Sequence, residues 1–133
     1  DKKKWSRIAF QYEYHQLRIN TTIHPYIFLE IDARFDKITK KGNNNLFVLD
    51  AALIYESGAD THMDYVIVVT SRMGLRTERV MQRGGLTREE FLQRVDLQWP
   101  DEDKIHLADF VIQNNSTEDS VRQEARLIFD KLL

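Results

Sequence analysis

The chain has 133 residues, enough for one domain with a hydrophobic core, and its net charge of −2 gives no overall field that would attract nucleic acid or an anionic membrane. It contains no cysteine, which excludes disulfides, thiolate catalysis and cysteine metal sites and fits a reducing cytoplasm, where we expect the protein. No apolar run approaches the length of a transmembrane helix.

The first third of the sequence has a helical pattern. Apolar residues on one face predict a helix from about residue 3 to residue 14. The pair His24-Pro25 predicts the start of a second helix, because proline suits the first helical turn, where its missing N–H leaves nothing unpaired. The glycine and three asparagines at 42–45 predict its end.

Three short apolar runs predict strands, at Leu46–Leu49, Tyr65–Val69 and Phe110–Ile112. The middle run is rich in β-branched residues, which is typical of a strand covered on both faces. Helical sequence separates the runs, so we expect them to be parallel neighbours in one α/β sheet with helices on both faces.

Further helices are predicted at 73–83, 88–97 and 100–107, and a last one after residue 117. Thr87 and Glu90 have the spacing of a capping box, in which each side chain bonds the other's backbone N–H. Thr117 or Ser116 is expected to cap the last helix.

Arginines cluster around a glycine break between the first two of these helices. Arg79 and Arg83 directly precede Gly84 and Gly85. A guanidinium is always charged, and its planar fork of donors matches phosphate oxygens. An arginine hairpin beside a parallel sheet indicates a lid over a nucleotide. An amphipathic helix with solvated arginines is the alternative.

Two carboxylates follow the first predicted strand. Asp50 closes it and Glu56 lies in the next loop. Ligands of parallel sheets bind beyond the carboxyl ends of the strands, so an acid there could hold a Mg²⁺-bound water. A turn or helix-capping role is the alternative for both residues.

Asn114 ends the last predicted strand, and its amide could pair with the edge of adenine. A turn or cap is the alternative. His24 could bond a substrate phosphate or hydroxyl, or it could be a helix cap or a buried ring. The other histidines lack metal-ligand spacing, so no transition-metal site is expected.

Five blocks, taken in order, resemble the dephospho-CoA kinase family. They are Ile23–Ile27, Val48–Gly58, Arg79–Glu90, Gln98–Lys104 and Ala108–Asn115. The first resembles the family's Leu-His-Pro-x-Ile block, the third its lid, and the last its Ala-Asp-x-Val-Ile-x-Asn ending. Their shared order and spacing extend over nearly the whole chain.

Some family features are absent from the 133 residues. The opening strand, the catalytic Asp-Ala-Asp segment and the phosphate loop G-x-x-x-x-G-K-S/T are not present, and we expect them upstream of Asp1. Ala52, Gly84 and Ser116 replace a proline, an aspartate and a glycine that are common in the family. We therefore expect this stretch by itself to be inactive.

The resemblance implies an ATP-dependent kinase that phosphorylates the 3′-hydroxyl of dephospho-CoA in the last step of coenzyme A biosynthesis, with ATP and Mg²⁺ as cofactors. It implies a P-loop-kinase-like parallel α/β core. Residues 1–45 would be the helical CoA-substrate region and residues 46–133 the C-terminal part of the core, with a helical lid at about 76–107. No nucleic-acid or membrane partner is expected, and the sequence leaves the oligomeric state open.

The resemblance also implies roles for the candidate residues. Arg79 and Arg83 would close on the ATP phosphates, with Arg83 also catalytic, and Asn114 would lie near adenine. Asp50 would act in catalysis, facing the magnesium ion or the acceptor ribose. Glu56 and His24 would also belong to the binding site for dephospho-CoA, the phosphoryl acceptor.

Two other functions stay open at the level of the sequence. A non-catalytic α/β binding module could have kept the family's core. A kinase for another nucleoside or nucleotide could have kept the lid arginines, but it would have no reason to keep the His24-Pro25 block. A phosphate loop encoded upstream in the same reading frame would support the kinase, and a start codon next to Asp1 would support the module.

Overall fold

A computed structural model of the chain describes residues 12–133. The chain divides into two compact units, one up to Ala59 and one from Asp60 to Leu133. The helix predicted for residues 3–14 falls almost entirely outside the described residues. Within residues 12–133, no helix is both long enough and apolar enough to cross a membrane.

The first unit contains a 29-residue helix, α1 (Glu13–Lys41). Pro25 lies inside this helix, so the prediction that His24-Pro25 begins a helix is wrong. The hydroxyl of Thr22 donates to the carbonyl of Arg18 at 2.8 Å, which ties together the turn before the proline. The residues next to a proline do not show whether it begins a helix or lies inside one. The helical pattern farther along the chain, on both sides of the proline, distinguishes the two cases.

α1 ends at Gly42, as predicted. This glycine has a φ of 67°, in the left-handed region that favours glycine, and its N–H donates to the carbonyl of Thr39. A stretch without regular secondary structure follows, and then a short helix, α2 (Ile54–Ser57), and a 3₁₀ turn (Ala59–His62).

The stretch at residues 46–50 is not a strand in this structure, so the prediction of a strand at Leu46–Leu49 is wrong. Phe47 meets the ring of Phe35 edge-on, with ring centroids 5.7 Å apart, and Val48 is 74% exposed. Apolar side chains indicate a tendency to be buried. A strand also requires a neighbour that pairs with its backbone, and that neighbour cannot be identified from the run itself.

The second unit is built on two parallel strands, β1 (Ile67–Thr70) and β2 (Phe110–Gln113). Ile67 lies opposite Phe110 and Thr70 opposite Gln113, which confirms that these two predicted strands are parallel neighbours. The helices of this unit are α3 (Met73–Arg83), α4 (Arg88–Asp96), α5 (Asp101–Leu107) and α6 (Glu118–Leu132).

β1 is less covered than its sequence predicts. Ile67 and Val69 on one face are 42% and 59% exposed, whereas Ile112 of β2 is only 5% exposed. α6 packs on β2 and contributes the buried Ile128. An apolar β-branched run shows that a strand can be covered on both faces, but the elements that pack beside it decide whether it is.

Two predicted helix caps are confirmed. The N–H of Glu90 donates to the Thr87 hydroxyl at 3.1 Å, and the N–H of Thr87 donates to the Glu90 carboxylate at 2.9 Å. Thr117 caps α6 by accepting a hydrogen bond from the N–H of Ser120 at 3.3 Å. These caps fix where α4 and α6 begin.

Candidate functional site

The carboxyl ends of β1 and β2 lie side by side. The N–H of Asn114 donates to the carbonyl of Thr70 at 2.8 Å, which extends the parallel pairing one residue beyond β2. Parallel sheets bind ligands beyond this edge of the strands. It is therefore the first place to look for a site in the second unit.

A cleft of about 340 Å³ opens at this edge. Its lining includes Arg76, Arg79 and Arg83 from α3 and Asn114 from the end of β2. The spacing of three and four residues puts the three arginines on one face of α3. The structure thus brings Arg79, Arg83 and Asn114, three of the predicted site residues, to one cleft.

Arg79 is held at this cleft by the strand end. Its Nη1 donates to the carbonyl oxygen of Asn114 at 2.9 Å and lies 3.5 Å from the Ser71 hydroxyl. The contact uses the backbone of Asn114 and leaves its amide available for other partners. The guanidinium of Arg79 is therefore anchored while still facing the cleft.

Arg83 occupies the other end of the row. It is exposed and is the last residue of α3. The next residue, Gly84, has a φ of 73°, and its N–H closes the helix by donating to the carbonyls of Val80 and Met81. The guanidinium of Arg83 thus lines the cleft and stays exposed to solvent at the carboxyl end of α3.

Arg76 was not predicted as a site residue. Its Nη2 and Nη1 donate to the two carboxylate oxygens of Asp101, at 2.8 and 3.3 Å. The hydroxyl of Thr70 donates to the same carboxylate at 3.2 Å. The sequence signal that could have indicated Arg76 is its position one turn before Arg79, but its partner 25 residues away could not be inferred.

A second cleft, of about 460 Å³, shares Thr70, Ser71 and Arg76 with the first. Arg76 therefore lies between the two clefts. Trp99 and Pro100 line this cleft too. Asn115 also lines it, and its side-chain oxygen accepts a hydrogen bond from the N–H of Arg72 at 2.7 Å. That contact fixes the chain between β1 and α3.

The other predicted site residues lie in the first unit. Asp50 is exposed in the irregular stretch between α1 and α2, and Glu56 is half-buried in α2. His24 is half-buried within α1, with its ring edge-on to Phe28 at 6.3 Å, so it is not a helix cap. Residues 12–133 contain no group of three acidic or histidine side chains placed to hold a metal ion.

Sequence comparison places these features among known proteins. The family described as dephospho-CoA kinase matches residues 1–120. A dephospho-CoA kinase of Chlorobium chlorochromatii is 33% identical over 133 residues, which are 100% of this chain and 62% of that protein. A dephospho-CoA kinase of Geobacillus kaustophilus is 33% identical over 124 residues, which are 93% of this chain and 61% of that protein. The chain thus spans about three fifths of the length of these relatives.

Two solved structures are similar to this chain. A crystal structure described as TT1252 from Thermus thermophilus matches with a TM-score of 0.76 at 24% identity, over 100% of this chain and 68% of that chain, which shows a shared fold. A dephospho-CoA kinase from Campylobacter jejuni matches with a TM-score of 0.61 at 31% identity, over 99% of this chain and 65% of that chain.

Proposed function

Because the chain belongs to the dephospho-CoA kinase family, we propose that the protein transfers the γ-phosphoryl group of ATP to the 3′-hydroxyl of dephospho-CoA. The observation that carries this proposal is the meeting of Arg79, Arg83 and Asn114 at one cleft beyond the ends of parallel strands. Guanidinium groups bind phosphate oxygens, and a side-chain amide suits the edge of adenine.

Phosphoryl transfer depends mainly on positioning and on neutralising negative charge. Arg79, tied to the carbonyl of Asn114, is the fixed cation and orients the phosphates. Arg83, exposed at the end of α3, is the cation that closes on the charge developing during transfer. Removing a single hydrogen-bond donor of this kind typically lowers turnover about 10² to 10³-fold.

ATP would bind together with Mg²⁺, and the two would supply the phosphoryl group and part of the neutralising positive charge. The charge of the cleft supports this proposal, since the guanidiniums of Arg79 and Arg83 line it and suit phosphate oxygens. Proteins commonly hold Mg²⁺ through one or two carboxylates together with substrate phosphates, so the ion does not require a group of three protein ligands. Asp50 is the carboxylate that we assign to the ion or to the acceptor ribose.

The acceptor is assigned to the first unit. Glu56 and His24 complete the proposed binding site for dephospho-CoA. The long helix α1 belongs to the proposed substrate region, residues 1–45. The proposed lid covers about residues 76–107, which contain most of α3 together with α4 and α5. Each of these roles predicts a change in the Michaelis constant for dephospho-CoA or for ATP when the residue is replaced.

The product of the complete gene provides the test. ADP release is measured with ATP, Mg²⁺ and dephospho-CoA, and the conversion of dephospho-CoA to CoA is followed by chromatography. We expect ADP to form only when dephospho-CoA is present. Binding of ATP without any ADP would instead support a non-catalytic module, and turnover with a different nucleoside acceptor would identify another kinase.

A further inference from the structure

The carboxylate of Asp101 joins three elements of the second unit. It accepts two hydrogen bonds from Arg76 of α3, at 2.8 and 3.3 Å, and one from the hydroxyl of Thr70 at the end of β1, at 3.2 Å. Asp101 is itself the first residue of α5. The side chains of Arg76 and Asp101 are only 30% and 34% exposed, so this pair is better shielded than a typical surface ion pair.

This junction lies at the base of the arginine row. Arg79 and Arg83 follow Arg76 by one and two turns along the same face of α3. At about 1.5 Å of rise per residue, Arg83 lies roughly 10 Å farther along the helix. A tilt of about 10° at the junction would therefore move Arg83 by nearly 2 Å, and a misplacement of about 1 Å can lower a rate about 100-fold.

We propose that Arg76 is a positioning residue, whose ion pair with Asp101 fixes α3 against the end of β1 so that Arg79 and Arg83 face the cleft. The proposal rests on the proposed function, because it assumes that the cleft binds ATP. Arg76 itself is committed to Asp101 through both terminal nitrogens and acts through the two arginines that follow it.

A direct role of Arg76 in binding phosphate makes the opposite prediction for its partner. Arg76 lines the first cleft, so replacing Asp101 would release a guanidinium toward the nucleotide and leave affinity unchanged or tighter. If Arg76 positions α3, replacing either member of the pair removes the same contact. The two single variants should then weaken ATP binding alike, and the double variant should be no worse than either.

The experiment measures the dissociation constant of Mg²⁺-ATP by calorimetry, and the Michaelis constant and turnover in the ADP assay, on the product of the complete gene. The variants are Arg76→Ala, Asp101→Ala and their combination, with Asp101→Glu as the conservative replacement. We expect each alanine variant to raise the dissociation constant about tenfold, the double variant to stay within about twofold of the singles, and Asp101→Glu to retain most of the affinity.

Arg122→Ala is the matched control. Arg122 on α6 pairs with Glu118 at 2.6 Å, but these side chains are 73% and 79% exposed. Because the pair of Arg122 and Glu118 is exposed to solvent, its loss should leave ATP binding and turnover unchanged.

Two patterns would overturn the positioning role. One is weaker binding in Arg76→Ala together with unchanged or tighter binding in Asp101→Ala. The other is a lower melting temperature in both variants with an unchanged dissociation constant for the folded protein. Wild-type protein that binds ATP but forms no ADP would overturn the proposed function and leave the binding comparison intact. Wild-type protein that binds no ATP would overturn both.

Discussion

The second unit and helix α1 are held by different kinds of contact. In the second unit, side chains bond backbone groups that are distant in sequence. The carboxylate of Asp109 accepts from the N–H of Val66 at 2.8 Å, 43 residues away. In α1, the Arg34 guanidinium donates to the Glu30 carboxylate four residues back, at 2.7 Å. A contact between distant residues fixes one element against another, whereas a contact within one turn supports only that turn.

The difference predicts where substitutions matter. Contacts at the sheet edge set the relative positions of the groups that are proposed to act together, so their loss should change both stability and binding. Side-chain contacts within α1 act on a helix that its backbone hydrogen bonds already hold together, so their loss should change stability little. Tyr26 and Leu29 on α1 are 72% and 67% exposed, so their surroundings add little packing in this structure. Four substitutions test this contrast.

Arg83→Ala should have the largest effect. Loss of the charge at the end of α3 removes the proposed contact to phosphate, which would strengthen during transfer, so turnover should fall about 10² to 10³-fold. Exposure of Arg83 means that the melting temperature should hardly change. Initial rates of ADP release and a thermal melt check the two parts. Unchanged turnover with a lower melting temperature would show that Arg83 serves the fold and not the reaction.

Pro25→Ala should have the next largest effect, in the stabilising direction. Proline inside a helix removes one backbone hydrogen bond, and alanine restores it, so the free energy of unfolding should rise by about 1–3 kcal/mol. Urea titration followed by circular dichroism measures the change.

Pro100 provides the control for this prediction, since it is the chain's other proline and precedes α5, where the missing N–H is not needed. Pro100→Ala should change the free energy of unfolding by no more than about 0.5 kcal/mol. If Pro25→Ala were equally neutral, α1 would not continue through residue 25.

Asp109→Ala should be moderately destabilising. It removes the acceptor for the N–H of Val66 just before β1, which should lower the free energy of unfolding by about 1 kcal/mol. Asp109→Asn keeps a side-chain oxygen and should lose less than the alanine variant. Equal losses in the two variants, measured by urea titration, would argue that the charge of Asp109 matters and not its hydrogen bond.

Arg34→Ala should have the smallest effect. The side chains of Arg34 and Glu30 are 69% and 62% exposed. Removal of their ion pair should therefore change the free energy of unfolding by no more than about 0.5 kcal/mol. Raising the salt concentration should weaken the pair in the wild type and narrow the difference further. A loss as large as that of Asp109→Ala would contradict the contrast between local and distant contacts.

Local signals were enough to predict much of the second unit. The capping box at Thr87 and Glu90 and the cap at Thr117 involve residues three apart, so the sequence contains both partners. The glycine break after Arg83 likewise identified the end of α3. Two strands and their parallel pairing followed from apolar runs separated by helices.

The errors occurred where more than the local sequence decides the outcome. The strand predicted at Leu46–Leu49 requires a paired neighbour, and the helix start predicted at Pro25 depends on whether helical sequence continues on both sides. The pair formed by Arg76 and Asp101 depends on α3 and α5 meeting beside β1. At the candidate site, residue types indicated Arg79 and Arg83, but only the fold shows that they share a cleft with Asn114.

Hydrogen–deuterium exchange of the product of the complete gene, with and without Mg²⁺-ATP, tests the central claim most directly. The claim is that nucleotide binds beyond the carboxyl ends of β1 and β2, against the arginine face of α3. Binding should slow amide exchange at residues 70–84 and 113–115, and Arg83→Ala should reduce that protection at equal ATP concentration. Protection confined to α1, with unchanged exchange at both of these stretches, would contradict the account.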